Sequence, residues 1–144
     1  MQISLLKLCY VHKNSYLCQW NFLTKRNILM EEQKPKPYVI GLDLGGTNAV
    51  FGIVNQRGEI LATSAIKTQA YKKVEDFVDA GVDSLQPIIK KVGGIDQIKA
   101  MGIGAPNGNF YRGTIEYAPN LFWAHETIVP LAQMFSDHLG IPVG

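Results

Sequence analysis

The stretch from Tyr38 to Val54 constrains the fold most, because two apolar segments there are separated by a Gly-Gly-Thr turn. Two apolar runs joined in this way are typical of a β-hairpin. Glycine has no Cβ atom, so a ligand can approach the backbone amides of the turn, and glycine also permits positive φ, which a side chain at Gly46 would resist. The sequence therefore predicts a hairpin whose turn can contact a bound molecule.

Polar groups surround this turn. Asp43 ends the first strand, and Thr47 and Asn48 follow the two glycines, Gly45 and Gly46. Backbone amides, a hydroxyl and a carboxylate suit phosphate groups that are bound to Mg²⁺. In that interpretation Asp43 holds the metal ion through water. The alternative is a plain hairpin in which Asp43 caps the turn.

Three segments carry a resemblance to a known family. Asp43-Leu44-Gly45-Gly46-Thr47-Asn48, with Gly52 downstream, resembles the first phosphate motif of sugar kinases with the actin-like ATPase fold. Gly102-Ile103-Gly104-Ala105-Pro106 is followed by Ala118-Pro119-Asn120-Leu121 and Trp123. In this order the motifs are similar to those of the ROK family, which contains sugar kinases and related repressors. The resemblance covers about residues 37–143, and within the family it is strongest to bacterial glucokinases.

The resemblance implies an α/β fold of the actin-like ATPase (ribonuclease H-like) class. It also implies ATP and Mg²⁺ as cofactors and a hexose as substrate, with glucose converted to glucose 6-phosphate by a longer, cytoplasmic enzyme that forms a homodimer. The nucleotide-binding residues would be Asp43, Gly45, Gly46, Thr47 and Asn48, with Asp43 near the metal.

The substrate-binding residues would be Ala105, Pro106, Asn107 and Gly108, with Asn120 as a further candidate for the pocket wall. Commoner family members have glycine at the position of Asn107. Asparagine tolerates positive φ better than most residues, so we expect the loop to keep its shape. For Asn120 the alternative is a turn former after Pro119.

The periodicity along the chain agrees with this fold class. Glu59–Thr68 is predicted as a third strand, so that a three-stranded antiparallel meander precedes a helix, a strand and a second helix. Apolar residues from Val74 to Val92 recur at helical spacing, and Gly93-Gly94 ends that helix. Residues 98–103 are predicted as a buried strand and residues 127–139 as the second helix, after which Ile141–Val143 begins another strand.

Other motifs give weaker indications of function. Gly102, Gly104 and Gly108 imitate a dinucleotide-binding fingerprint, but no helix is predicted after them, and residues 109–117 are predicted as turn and extended chain. His125 and His138 are interpreted as structural or surface residues. Trp123 is interpreted as a packing residue rather than a platform for a sugar.

The first thirty residues differ from the rest of the chain. They contain four basic residues, no acid and both cysteines, whereas residues 31–144 carry ten basic and twelve acidic side chains. The interpretation is a leader over residues 1–36, unstructured or preceding the natural start, and a domain over residues 37–144. We see no basic footprint for nucleic acid and no membrane segment, so neither is expected as a partner.

Two alternatives to a kinase remain open: a sugar-responsive ROK repressor, and a nucleotide- or sugar-binding remnant without turnover. The family takes its general base from an aspartate just past the strand that opens at Ile141. The sequence stops before that aspartate, so no catalytic residue is expected in this chain and the chain alone is expected to be inactive. The resemblance allows a zinc site in a longer protein, but this chain has none of its motif residues.

Overall fold

A computed structural model describes residues 36–144, so almost all of the predicted leader lies outside the described residues. The strands are β1 (Tyr38–Leu44), β2 (Asn48–Asn55), β3 (Ile60–Lys67), β4 (Ile98–Gly104), β5 (Gly108–Asn109), β6 (Thr114–Glu116) and β7 (Ile128–Val129). The helices are α1 (Val74–Lys91) and α2 (Leu131–Leu139), and single 3₁₀ turns occupy Thr68–Ala70 and Ile95–Gln97.

The main sheet has the strand order β3-β2-β1-β4. β1 and β2 are antiparallel, as are β2 and β3, whereas β4 runs parallel to β1. The meander followed by a helix and a parallel strand is therefore confirmed. Val143 forms a parallel bridge to Met101 of β4, which is the start of the strand expected after Ile141.

The core lies between one face of this sheet and the two helices. Alternate residues of β1 and β2 are buried there, as period-two patterning requires: Ile40, Leu42, Leu44, Ala49, Phe51 and Ile53. The apolar stripe of α1 packs on them and consists of Phe77, Val78, Leu85, Ile88 and Ile89. Gly81 lies in the middle of α1. A Cβ atom there would come within 3.0 Å of the Phe51 ring and 3.2 Å of the Phe135 ring, so close packing explains a glycine that the helix itself disfavours.

A second, small sheet has the order β5-β6-β7 and all its strands are antiparallel. Its β5–β6 hairpin agrees with the turn and extended chain predicted over residues 109–117. The prediction of a helix from Thr127 was wrong at its start. Ile128 and Val129 pair with β6 instead, and Pro130 precedes the first helical residue, Leu131.

The parallel pairing of β1 and β4 decides where functional groups meet. Asp43 is the register partner of Gly104, so both strands end at the same edge of the sheet. The Gly45–Thr47 turn leaves β1 at this edge, and the loop Ala105–Asn107 leaves β4 beside it. In open α/β sheets, ligands bind outside the carboxyl ends of parallel strands.

Candidate functional site

The hairpin turn is held tightly across its base. The amide of Gly45 donates to the carbonyl of Asn48 at 2.9 Å. Neither Gly45 nor Gly46 has a positive φ, so that part of the expectation for Gly46 was wrong. Close packing explains the glycine instead. A Cβ atom on Gly46 would lie 3.0 Å from the Cβ atom of Asn120 and 3.1 Å from its carbonyl oxygen.

The turn leaves two donors free of backbone partners. Among the described residues, no backbone acceptor takes a hydrogen bond from the amides of Gly46 or Thr47. Both residues line an open cavity of about 400 Å³ whose other walls are Gln69, Pro119, Asn120 and Phe122. Unpaired amides on the wall of a polar cavity can bind an anion such as phosphate by donating hydrogen bonds to it. The structure thus places Asn120, which was predicted for the sugar pocket, beside Gly46 and Thr47 of the predicted phosphate turn.

Thr68 holds this turn through two hydrogen bonds. Its hydroxyl donates to the carbonyl of Gly45 at 2.8 Å, and its amide donates to the carbonyl of Thr47 at 2.9 Å. The residue is only 2% exposed and is the one polar side chain in the core of the described part. Sequence reasoning placed Thr68 at the end of a strand and missed this contact, because a partner 23 residues away leaves no local pattern.

Asp43 is exposed at the end of β1, next in register to Gly104. No group of three or more His, Cys, Asp or Glu residues that could hold a metal occurs within residues 36–144. A single exposed carboxylate beside free amides fits an Mg²⁺ ion that keeps most of its water and takes its other ligands from phosphate. It does not fit an ion held by protein side chains alone.

The loop after β4 has the backbone shape expected from the sequence. Asn107 has a φ of 53°, in the left-handed region, so the tolerance expected of asparagine is used. Its side-chain amide donates to the carbonyls of Glu116 and Tyr117, both at 3.1 Å. Its own carbonyl accepts from the amide of Glu116 at 3.0 Å. The side chain of Asn107 is therefore engaged with the protein.

Ala105 and Gly108 line a second cavity, of about 240 Å³, between the β4 loop and the small sheet. Pro106 and Asn107 do not line it. Of the five residues assigned to a sugar pocket, the structure thus places two at this cavity and Asn120 at the cavity beside the hairpin. All of them belong to segments around the same sheet edge.

A carboxylate network fixes the β5–β6 hairpin. One oxygen of Glu116 accepts from the hydroxyl of Thr114 at 2.8 Å, the side-chain amide of Asn109 at 3.1 Å and the guanidinium of Arg112 at 3.3 Å. The Thr114 hydroxyl foremost, together with Arg112 and Asn109, lowers the pKa of Glu116. This side chain therefore stays ionised and is a weak proton acceptor.

The two histidines and the tryptophan lie where the sequence interpretation put them. His125 is exposed and 3.7 Å from the carboxylate of its neighbour Glu126. His138 joins α2 to Asp79 of α1 at 3.1 Å. Trp123 is buried and stacks on Phe77 with ring centroids 5.2 Å apart. The two histidines are thus at the surface and the tryptophan in the core.

Within the part of the chain that the structure describes, no helix has both the length and the apolar character needed to cross a membrane.

Known proteins resemble this chain, some over most of its length and one over a short segment. A glucokinase from Streptomyces coelicolor is 36% identical over 105 residues, which is 72% of this chain and 30% of that protein. A glucomannokinase from Segatella bryantii is 84% identical over 25 residues, 17% of this chain and the whole of that recorded sequence. A protein that is named as a xylose repressor, from a Caldicellulosiruptor species, is 31% identical over 121 residues, which is 83% of this chain and 30% of that protein.

A solved structure shows the same fold. The ROK family glucokinase from Streptomyces griseus, determined in complex with glucose and AMPPNP, matches with a TM-score of 0.61 and 34% identity. The match covers 74% of this chain and 31% of that one. The predicted actin-like ATPase fold of the ROK sugar kinases is therefore confirmed. This chain spans about 30% of the length of the glucokinases from Streptomyces coelicolor and Streptomyces lividans.

The family is shown by a direct match as well. The model of the ROK family matches residues 39–144, which is nearly all of the described domain. The relatives and the solved structure agree with that match in sequence and in fold. This chain belongs to the ROK family.

Proposed function

We propose that this domain binds the phosphates of Mg·ATP and helps to phosphorylate a hexose, glucose above all, within a longer ROK kinase. The observation that carries the proposal is the shared sheet edge. The free amides of Gly46 and Thr47 lie at the end of β1, and the β4 loop leaves from the position next to Asp43. A phosphate site and a sugar site side by side are what phosphoryl transfer requires.

Each residue then has a defined task. The backbone amides of Gly46 and Thr47 donate to phosphate oxygens. The hydroxyl of Thr47 and the side-chain amide of Asn48 add donors at the edge of the phosphate site. Asp43 holds Mg²⁺ through water. Phosphoryl transfer is governed by positioning and by neutralisation of charge, so these groups act by holding the phosphates in line with the sugar hydroxyl.

The loop from Ala105 to Gly108, with Asn120, forms the sugar side of the site. The glucose in the Streptomyces griseus structure and the name of the Segatella bryantii relative support two hexoses, glucose and mannose, as the first to test. The base that takes the proton from the sugar is proposed to come from outside residues 36–144. Of two acids near this edge, Asp43 lies at the end of β1 just before the phosphate turn, and Glu116 is engaged in its own network.

The kinase proposal is tested on the natural polypeptide that contains this domain. Purified protein is incubated with Mg·ATP and glucose or mannose, and hexose 6-phosphate is measured with a coupled enzyme. We expect turnover in the ordinary range of about 1–10³ s⁻¹.

The similarity to a xylose repressor favours a second candidate, a sugar-responsive transcriptional repressor. For that candidate the same assay would show no phosphate transfer to any hexose. The sugar would instead change the affinity of the polypeptide for operator DNA, measured by fluorescence anisotropy. These two results separate the candidates.

A further inference from the structure

We infer that Thr68 is a positioning residue for the phosphate turn, an inference that rests on the proposed function. Thr68 begins the 3₁₀ turn after β3 and does not itself line the cavity beside the hairpin, although its neighbour Gln69 does. Thr68 is 2% exposed. A hydroxyl buried to this extent cannot reach a ligand in the cavity, so any effect of Thr68 on binding must act through the turn.

The two hydrogen bonds of Thr68 fix the peptide groups of the turn. The hydroxyl holds the carbonyl of Gly45 at 2.8 Å. That carbonyl belongs to the same peptide unit as the amide of Gly46. Because a trans peptide is planar and its C=O and N–H point in opposite directions, the Gly46 amide must point away from Thr68. The hydroxyl of Thr68 therefore fixes the direction of the Gly46 amide, and Gly46 is one of the residues that line the cavity.

The second hydrogen bond holds the other end of the turn. The amide of Thr68 donates to the carbonyl of Thr47 at 2.9 Å, and the amide of Tyr71 closes on the carbonyl of Thr68 at 3.3 Å. The turn is thus attached at both ends to one rigid residue. A glycine-rich turn without this attachment would lose more entropy when it ordered around a phosphate.

The test compares Thr68→Val, which keeps the shape and removes the hydroxyl, with Thr68→Ser, which keeps the hydroxyl. Thr63→Val is the matched control, because Thr63 is exposed on the preceding strand. Each variant of the natural polypeptide is assayed for its KM and kcat with ATP and with hexose. A calorimetric Kd for Mg·AMPPNP provides a readout that does not depend on turnover.

Loss of one neutral hydrogen bond is worth about a fivefold change in an equilibrium constant. We therefore expect Thr68→Val to weaken nucleotide binding about fivefold with the KM for hexose unchanged, Thr68→Ser to restore wild-type behaviour, and Thr63→Val to have no effect. Equal nucleotide affinity in Thr68→Val and Thr63→Val would overturn the inference. So would an equal loss for nucleotide and hexose, which indicates general disorder.

Should Thr68→Val fail to fold, Thr68→Cys replaces it, since the thiol is a weaker donor of similar size. A wild-type polypeptide that binds Mg·AMPPNP but phosphorylates no hexose would refute the proposed function alone, and the Kd comparison would still decide the role of Thr68. A polypeptide that binds no nucleotide overturns both.

Discussion

The side-chain amide of Asn107 donates to the backbone carbonyl of Tyr117 at 3.1 Å, and this bond joins the two non-glycine residues of the described chain that have positive φ. Their φ angles are 53° and 50°. Such conformations cost free energy and persist only where neighbouring groups hold them, most often at functional loops. Asn107 therefore serves the β4 loop in two ways, through its backbone conformation and through its side chain.

Variants of Asn107 separate these two contributions. Asn107→Gly keeps the left-handed backbone and loses the hydrogen bonds, which should lower the free energy of unfolding by about 1 kcal/mol. Asn107→Ala also forces an alanine into that backbone and should lose about 1–2 kcal/mol more. The measurement is urea unfolding of the domain. A greater stability of the alanine variant over the glycine variant would contradict this account.

Asn55 provides the control for that series. Its side-chain oxygen accepts from the amides of Arg57 and Glu59 at 2.9 and 3.0 Å, at the opposite end of β1 and β2. Its φ is not positive. At this position we expect the reverse order, with Asn55→Ala at least as stable as Asn55→Gly, because glycine loses more chain entropy on folding.

The pair of His138 and Asp79 should make stability depend on pH. The Nδ1 atom of His138 lies 2.8 Å from the carbonyl of Met134, and its Nε2 atom lies 3.1 Å from the carboxylate of Asp79. Both ring nitrogens face acceptors, so the doubly protonated imidazole is favoured. The hydrogen bond to Met134 foremost, and then the one to Asp79, raises the pKa of His138.

A raised pKa in the folded state means that the stabilisation is fully present below the unfolded pKa of about 6.5 and is lost as pH rises through the folded value. We expect the Tm of wild type to exceed that of Asp79→Asn at about pH 5.5, and the difference to shrink by about pH 8.5. Glu126→Gln, next to the exposed His125, should change Tm little at either pH. A difference that grows with pH would show that the sign is wrong.

The 144-residue chain alone should phosphorylate hexose several orders of magnitude more slowly than an ordinary kinase. The described residues offer no free acid placed against the sugar loop, since Glu116 is held by three donors and Asp43 is at the phosphate turn. General-base catalysis supplies roughly 10²–10⁴-fold in rate, so its loss alone would lower an ordinary turnover of ~10 s⁻¹ to about 10⁻¹–10⁻³ s⁻¹. Incubation of the purified chain with Mg·ATP and glucose provides the test. Turnover near ~10 s⁻¹ that Asp43→Ala abolishes would mean that the base has been misplaced.

The larger elements were predictable from the sequence because their apolar residues recur at clear periods. Alternation along Tyr38–Leu44 indicates a strand of the sheet. Helical spacing along Val74–Lys91 indicates the helix that covers the inner face of that sheet. The small sheet has strands of only two or three residues, which are too short to show a period. For the same reason the first residues predicted for the second helix proved to be a strand.

The site was predictable as a set of backbone positions and less so as a set of contacts. The Gly-Gly-Thr turn and the left-handed backbone at Asn107 follow from the chemistry of glycine and asparagine. The packing of Gly46 on Asn120 and the support of the turn by Thr68 join residues far apart in sequence. Contacts of this kind depend on tertiary structure, and neither composition nor spacing contains them.

The most direct measurement of the central claim compares the ATP and glucose affinities of the natural polypeptide with those of its Gly46→Val and Gly41→Ala variants. A side chain at Gly46 would displace Asn120 and block the free amides, whereas a Cβ atom at Gly41 meets nothing within 4 Å. We expect Gly46→Val to weaken ATP binding more than tenfold, since it removes several phosphate contacts of about 1 kcal/mol each. Glucose binding should fall less, because Asn120 is the one proposed sugar-site residue that the new side chain displaces and the loop from Ala105 to Gly108 is untouched. Gly41→Ala should match wild type in both affinities. If glucose affinity falls and ATP affinity holds, the phosphate and sugar sites have been assigned to the wrong loops.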